Sequence, residues 1–112
     1  MKFTIMWMDT PQMNVYLDGV NIKSELLVEK PVVWVPLNIY PDKITHHTFN
    51  RFLESRVPDK RRADIDLILK RYDIPLFNPI WMIQKSYGRN MNDFLWIKID
   101  DKGVSFNDIR LR

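Results

Sequence analysis

The hydrophobic period of this chain changes twice along its length, and these changes restrict the folds open to it. Residues 1–40 contain short apolar and aromatic runs typical of strands, broken by Asp, Gly and Pro. Over residues 42–88 the apolar positions fall at helical spacing, and a strand-like run returns at Phe94 to Ile99. The order predicts an α+β fold with a small N-terminal antiparallel β-meander, a three-helix middle segment and a C-terminal strand that returns to the sheet.

The β-rich half, residues 1–40, is divided by turn residues. Asp9 to Pro11 and the Asp18-Gly19 dipeptide predict turns between consecutive antiparallel strands. Pro31 and Pro36 confine the later part to short or edge strands, because proline cannot donate to a ladder. Strands are predicted over Lys2–Met8, Met13–Leu17, Ser24–Lys30 and Val32–Val35.

The helical half, residues 42–88, begins with a helix capped by Asp42 or Thr45. Pro58 ends this helix, because proline disfavours helical backbone at the preceding residue. Its apolar face consists of Phe49, Phe52 and Leu53.

The second predicted helix covers Lys60 to Tyr72 and is both amphipathic and basic. Asp59 is its expected cap, and Asp73 and Pro75 close it. Its buried stripe is predicted to be Ile65, Ile68, Leu69 and Tyr72.

The third helix has the strongest boundary signals, with Asn78 as the N-cap, Pro79 at the first helical position and Gly88 as the C-terminal stop. Ile80, Ile83 and Tyr87 share its apolar face. The following run, Phe94 to Ile99, is almost continuously apolar, which predicts a central strand or one buried on both faces. A short closing element of open type follows at Val104–Leu111.

The length of 112 residues predicts a single domain with its own core. The chain has no cysteine, which excludes a disulfide scaffold, thiol catalysis and thiolate zinc sites. Polar residues interrupt the apolar N-terminal run before a signal peptide could be complete, and no window approaches a membrane span. We therefore expect a soluble, cytoplasmic protein.

The side chains that could support catalysis form no recognisable constellation. His46 and His47 are adjacent, so they diverge on a helix and cannot both bind one metal ion. The acidic pairs, Asp64 with Asp66 and Asp100 with Asp101, are better explained as solvated surface carboxylates. The serines and three glycines lie in no nucleophile elbow or phosphate loop. We expect no enzyme activity, no cofactor and no metal; an enzyme using His46 or His47 with a carboxylate is the least favoured class.

The remaining candidate is a basic cluster between residues 51 and 71, which holds seven of the seventeen lysines and arginines against four acids. Together with nearby side chains of the third helix it could contact a partner or several phosphates. The alternative is a solvated helix face with internal ion pairs, which the interspersed Asp residues favour somewhat. The candidate partner-binding residues are Arg51, Arg56, Lys60, Arg61, Arg62, Lys70, Arg71, Trp81, Lys85 and Arg89.

Aromatic side chains could extend this cluster into an interface. Trp81 and Met82 lie off the apolar stripe of the third helix, so each is either additional core or an exposed anchor. Trp96, in the last strand, is the third candidate for an aromatic surface beside the cluster.

A longer pattern covers a little over half of the chain. Its positions are Phe52, Arg56, Pro58, Arg62, Ile65, Leu69, Ile74, Tyr87, Gly88, Asp93, Trp96 and Ile97. The pattern resembles small N-terminal or stand-alone segments that accompany HipA-like serine/threonine kinases in bacterial and phage toxin–antitoxin loci. The chain lacks the ATP-binding loop, catalytic-loop Asp and metal-binding Asp of such a kinase. The resemblance therefore implies a regulatory or recognition module.

These observations predict a non-enzymatic macromolecular-recognition protein, of the kind that phages and mobile elements encode as regulators or inhibitors. It would occlude a protein or nucleoprotein partner, either a HipA-like kinase or a CRISPR effector. The alternative is a nucleic-acid-binding protein that uses the basic cluster on phosphates. The sequence leaves the oligomeric state open.

Overall fold

The computed structural model describes residues 1–29, 44–89, 93–100 and 103–109. Within these residues the chain forms a four-stranded antiparallel sheet and three α-helices, which confirms the predicted α+β class. The elements are β1 (Lys2–Trp7), β2 (Thr10–Asp18), β3 (Asn21–Leu26), α1 (His46–Ser55), α2 (Ile65–Arg71), α3 (Pro79–Ser86) and β4 (Leu95–Ile99).

The sheet has the strand order β3-β2-β1-β4. The N-terminal meander and the return of the last strand to the sheet are therefore confirmed. The alternative of a central last strand is wrong, because in the described part of the chain β4 pairs only with β1. Its apolar character has the other predicted cause: both of its faces are buried. The predicted strand Val32–Val35 lies outside the described residues.

The first two turns are shorter than the sequence indicated. Thr10 already pairs with Trp7, so the β1–β2 turn consists of Met8 and Asp9, with Met8 at a φ of 51°. Pro11, expected in the turn, lies inside β2 opposite Met6, where the register shifts and a proline is tolerated. Gly19 turns the chain into β3 with a φ of 57°, so β3 starts three residues before the predicted Ser24.

Helix α1 has the predicted cap and apolar face. The hydroxyl of Thr45 accepts a hydrogen bond from the Thr48 amide, and the Thr48 hydroxyl accepts one from the Thr45 amide. This reciprocal capping fixes the start of the helix. The buried residues of α1 are the three predicted ones, Phe49, Phe52 and Leu53.

Helix α2 is shorter than predicted, because it begins at Ile65 and not at Lys60. Asp59 was expected to cap a helix, but its carboxylate accepts hydrogen bonds from the amide and guanidinium of Arg61, which stabilises a turn. The predicted buried stripe is confirmed in part: Leu69 is buried with Ile74 and Met82, whereas Ile65, Ile68 and Tyr72 pack around them and are half-buried.

Helix α3 begins as predicted, with the Asn78 side chain accepting a hydrogen bond from the Trp81 amide and Pro79 at the first helical position. It ends at Ser86, where Tyr87 and Gly88 both adopt left-handed backbone, with φ values of 58° and 60°. Met82 and Ile83 are its buried residues.

The main core lies between the helices and one face of the sheet. Phe3 on β1 meets Phe49 on α1 edge to face, with ring centroids 5.0 Å apart. The opposite face of the sheet is covered at one end by residues 103–109, which include a 3₁₀ helix (Phe106–Ile109) and bury Met6 and Trp96. Burial of each large apolar side chain contributes roughly 1.5–3 kcal/mol, so the sheet is stabilised from both sides.

Candidate interaction surface

The predicted partner-binding residues divide into an exposed majority and two arginines held inside the fold. Arg56 is buried, with 7% of its side chain exposed, and Arg89 is half-buried. The exposed set is Arg51, Lys60, Arg61, Arg62, Lys70, Arg71, Trp81 and Lys85.

Arg56 ends α1 and connects it to the strand β4. Its guanidinium donates two parallel hydrogen bonds to the carboxylate of Asp93, at 2.8 and 2.9 Å. It also donates to the carbonyl oxygens of Gly88, at 2.9 Å, and Leu95, at 2.8 Å. Each nitrogen of this guanidinium is thus used within the fold. Arg56 therefore positions the elements around it and presents little of its side chain to solvent.

The turn after α3 fits tightly against this ion pair. A β-carbon at Gly88 would lie 3.3 Å from both the Cβ of Arg56 and the Cδ1 of Ile97. The carbonyl of Tyr87 accepts a hydrogen bond of 2.8 Å from the Ile97 amide. Glycine is therefore required here both for the left-handed backbone and for the close approach.

Charge and burial shift the acid–base behaviour of this region. Burial favours a higher pKa for Asp93, but the hydrogen bonds and charge of Arg56 outweigh it and hold that pKa below its usual range. Arg89 donates a hydrogen bond to the Asp93 carbonyl, and its guanidinium lies 4.8 Å from the ring centre of Phe106. Burial lowers the pKa of Arg89 from its usual value. Arg89 thus belongs to this interior cluster.

Several residues of the family-like pattern meet in this cluster. Arg56, Gly88 and Asp93 form its polar centre, and Tyr87 stacks edge to face on the buried Trp96, with ring centroids 6.3 Å apart. The geometry gives a structural reason for each of these residue types. Asp93 was not among the candidate site residues, because the 37 positions between it and Arg56 leave no local signal of their contact.

The exposed arginines are paired with carboxylates two residues away. Arg61 binds Asp59 at 2.9 Å, and Arg62 binds Asp64 at 2.9 Å. The hydrogen bonds from Arg61 lower the pKa of Asp59 to about 2, and those from Arg62 lower the pKa of Asp64. In the described part of the chain, no carboxylate pairs with the exposed cations Arg51, Lys60, Lys70, Arg71 and Lys85.

A surface groove of about 490 Å³ includes Lys60, one of these cations, in its lining. Val57 and Phe77 supply apolar lining, and the polar lining comes from Glu54, Ser55, Asp59, Lys60 and Arg61. A second depression of about 290 Å³ shares Glu54 and Phe77 with it and continues toward the start of α3. Phe77 was missed by the sequence reasoning, although an aromatic residue between two prolines, Pro75 and Pro79, was a usable signal.

The expected aromatic surface is reduced to one tryptophan. Trp81 is 42% exposed on α3, and Lys85 follows one helical turn later on the same face. Of the two alternatives left open for Met82, the core is the correct one, and Trp96 does not join the surface either, because both are fully buried. The indole N–H of Trp96 donates to the Met8 carbonyl at 2.6 Å, which fixes it in the core.

The two histidines and Asp100 lie at the surface of the described fold. His46 and His47 are exposed, and a ring nitrogen of His46 lies 2.8 Å from the Val20 carbonyl. Asp100 accepts a hydrogen bond from the Lys2 amide at 2.9 Å. Among residues 1–29, 44–89, 93–100 and 103–109, no three His, Cys, Asp or Glu side chains come together as a metal site.

Comparison with known proteins yields no relative: no family model, curated protein or solved structure matches this chain. In the described part of the chain, no helix has the length and apolar character needed to cross a bilayer.

Proposed function

We propose that this chain is a non-enzymatic recognition protein that binds an acidic surface of a protein partner and thereby blocks that surface. The observation that carries the proposal is the groove lined by Val57, Phe77, Lys60 and Arg61. Its apolar lining, Val57 and Phe77, can receive an apolar side chain, while Lys60 and Arg61 at its rim attract carboxylates.

The composition of the groove favours a protein over a nucleic acid. Glu54 and Asp59 line the same groove and offset part of its positive charge. This weakens contact with a continuous phosphate backbone, which depends on many cations, more than contact with a few carboxylates around an apolar anchor. Trp81 adds an exposed aromatic side chain with Lys85 beside it, and Trp is enriched among residues that dominate protein interfaces. A partner with acidic side chains around an apolar anchor fits this surface.

Two partner classes are proposed. The resemblance to segments that accompany HipA-like kinases suggests such a kinase. A small fold with a basic cluster, an exposed tryptophan and no recognised catalytic constellation also fits an inhibitor of a CRISPR effector. In either case the mechanism is occlusion, so no chemical step is required of this chain.

The test begins with a pull-down from the native host and continues with affinity measurements on the captured partner. The double charge reversal of the two adjacent arginines, Arg61→Glu with Arg62→Glu, should weaken binding by about tenfold or more while the thermal melt stays unchanged. The matched control is Asp59→Asn with Asp64→Asn, which breaks the same two ion pairs but leaves the positive charge. This control should bind at least as tightly as the wild type.

The two variants separate charge from local structure. If both weaken binding equally, the turn and not its charge is recognised, and the electrostatic part of the proposal is wrong. If neither weakens binding, the surface around residues 57–62 is not the interface.

A nucleic-acid-binding protein is the second candidate, favoured by the exposed cations without a carboxylate partner. Its test is a salt titration against random duplex and single strands. Binding to phosphates requires a steep linear fall of log K with log salt concentration. A steep slope with tight binding to random strands would replace the protein-partner proposal, and absence of binding at low salt would exclude the alternative.

A further inference from the structure

The two edges of the sheet are finished differently. At the outer edge of β4, the Ile97 amide donates to the Tyr87 carbonyl, and the Leu95 carbonyl accepts from Arg56. The last turn of the helical segment therefore closes this edge. At the other end of the strand order, β3 pairs only with β2 within the described residues. An open strand edge is a template for pairing with another chain.

The register of the β2–β3 hairpin shows which groups point outward. Asp18 and Asn21 flank the turn, and the Leu27 amide donates to the Gln12 carbonyl at 2.9 Å. Because hydrogen-bonded positions alternate in an antiparallel ladder, the odd-numbered residues of β3 face β2. The amides and carbonyls of Ile22, Ser24 and Leu26 therefore point away from the sheet.

The side chains of β3 are arranged symmetrically about Ser24. Lys23 and Glu25 flank it and are both exposed on one face of the sheet. Ile22 and Leu26 lie on the other face, and Leu26 remains 37% exposed. The Ser24 hydroxyl oxygen is shielded from solvent and has no hydrogen-bond partner, an arrangement that costs free energy in a monomer.

We propose that β3 pairs antiparallel with β3 of a second copy of this chain, about a two-fold axis at Ser24, so that two sheets become one. In this register Lys23 lies opposite Glu25 of the second copy, and the reverse pair repeats on the other side of the axis. Ile22 lies opposite Leu26 of the second copy on the other face. The interface is self-complementary in both charge and hydrophobicity.

The backbone and the hydroxyl agree with this register. The outward-facing residues Ile22, Ser24 and Leu26 fall at hydrogen-bonded positions, where each facing pair exchanges two hydrogen bonds. Lys23 and Glu25 fall at the other positions, where facing side chains are closer. The two Ser24 side chains face each other across the axis, so rotation about the Cα–Cβ bond of each serine would bring the two hydroxyls together.

Neighbouring registers are disfavoured by charge. A shift of the axis to residue 23 places Lys23 opposite Lys23 of the second copy, and a shift to residue 25 places Glu25 opposite itself. Like charges directly opposite destabilise a strand pair. The Ser24-centred register is thus selected over both.

The first test uses sedimentation of the full chain over roughly a hundredfold range of concentration, up to about 1 mM. The wild type should dimerise, while Lys23→Glu alone and Glu25→Lys alone should each raise the dissociation constant by about tenfold or more. An equimolar mixture of the two variants should form a heterodimer, because each now presents the charges that the other lacks. Lys85→Glu, an equal charge change on α3, should dimerise like the wild type.

The second test is Ser24→Pro, which removes an outward amide that β2 does not use. It should abolish the dimer and leave the circular dichroism spectrum of the fold intact. If the variant does not fold, the mixing experiment decides alone. A wild type that stays monomeric at about 1 mM, or single variants that dimerise as tightly as the wild type, would overturn the proposal.

Discussion

Two arginines five positions apart, Arg56 and Arg61, make the same kind of ion pair in opposite surroundings. Arg56 binds Asp93 across 37 residues, with side-chain exposures of 7% and 22%. Arg61 binds Asp59 two residues away, with exposures of 84% and 50%. The first pair joins a helix to a strand, and the second stabilises only its own turn. Within one basic stretch, the degree of burial and not the charge determines whether an arginine connects elements of the fold or lies at the surface.

The energetic difference follows from solvent. An exposed pair is screened by water and stabilises a fold little. Breaking a buried pair leaves a charge without compensation in a poorly solvated site, which is much more costly. Arg56 also satisfies the carbonyls of Gly88 and Leu95, so its removal would leave three acceptor groups without their donor.

The largest difference between the two ion pairs is expected when each arginine is replaced in turn and the stability of the fold is measured. Arg56→Ala should lower the free energy of unfolding by about 3–5 kcal/mol, because Asp93 would stay partly buried without its cation. Arg61→Ala is the matched control and should leave the urea midpoint unchanged. Denaturant unfolding at neutral pH measures both. Equal effects of the two substitutions would show that the burial of Arg56 does not matter to stability.

A smaller effect is expected from the glycine behind the buried pair. Gly88→Ala should cost about 1–3 kcal/mol, because alanine is strained at a φ of 60° and its β-carbon would press on Arg56 and Ile97. Gly19→Ala has the backbone strain but no neighbour within 4 Å, and Gly103→Ala has neither. Thermal melts should rank the losses Gly88, Gly19, Gly103. A Gly19 loss equal to that of Gly88 would mean that the close approach contributes nothing.

The smallest expected effect is the loss of the Asp93 contribution to stability at acid pH. The folded-state pKa of Asp93 lies below its unfolded value of about 3.9, so its contribution is complete above that value and disappears as the pH falls through the folded pKa. The stability difference between wild type and Asp93→Asn should therefore shrink as the pH is lowered from 7 toward about 2. Asp59→Asn should show a smaller difference, although Arg61 lowers the pKa of Asp59 to about 2. Solvent screens this exposed pair, and its two members, two residues apart, can also meet in the unfolded chain. A constant Asp93 difference would contradict the ion-pair explanation.

Local signals predicted those elements whose cause is local. The caps at Thr45 and Asn78 depend on residues within one turn, so the sequence alone located the starts of α1 and α3. Asp59 shows the limit of the same reasoning. An Asp side chain can cap a helix or close a turn. Here it closes a turn, because its carboxylate accepts a hydrogen bond from the amide of Arg61, two residues later.

Long-range signals were missing from the candidate site. The resemblance includes both Arg56 and Asp93 but does not show that they touch, and Asp93 lies beyond two further helices. Met82 was also ambiguous, because α3 buries two sides: Ile83 meets the sheet, while Met82 packs against residues of α2. The helical period of the sequence predicts one buried stripe, whereas a helix that packs between a sheet and another helix has two buried stripes.

The pairing of β1 with both β2 and β4 also sets an order of events during synthesis. β2 follows β1 after a turn of two residues, whereas β4 emerges from the ribosome only after all three helices. Until then one edge of β1 lies open, and its apolar side chains, including Phe3 and Ile5, lack the cover of β4. Late pairing of β4 with β1 slows folding and prolongs the exposure of an aggregation-prone strand edge on β1. The nascent chain therefore exposes this strand edge over the interval in which residues 21–94 are being made.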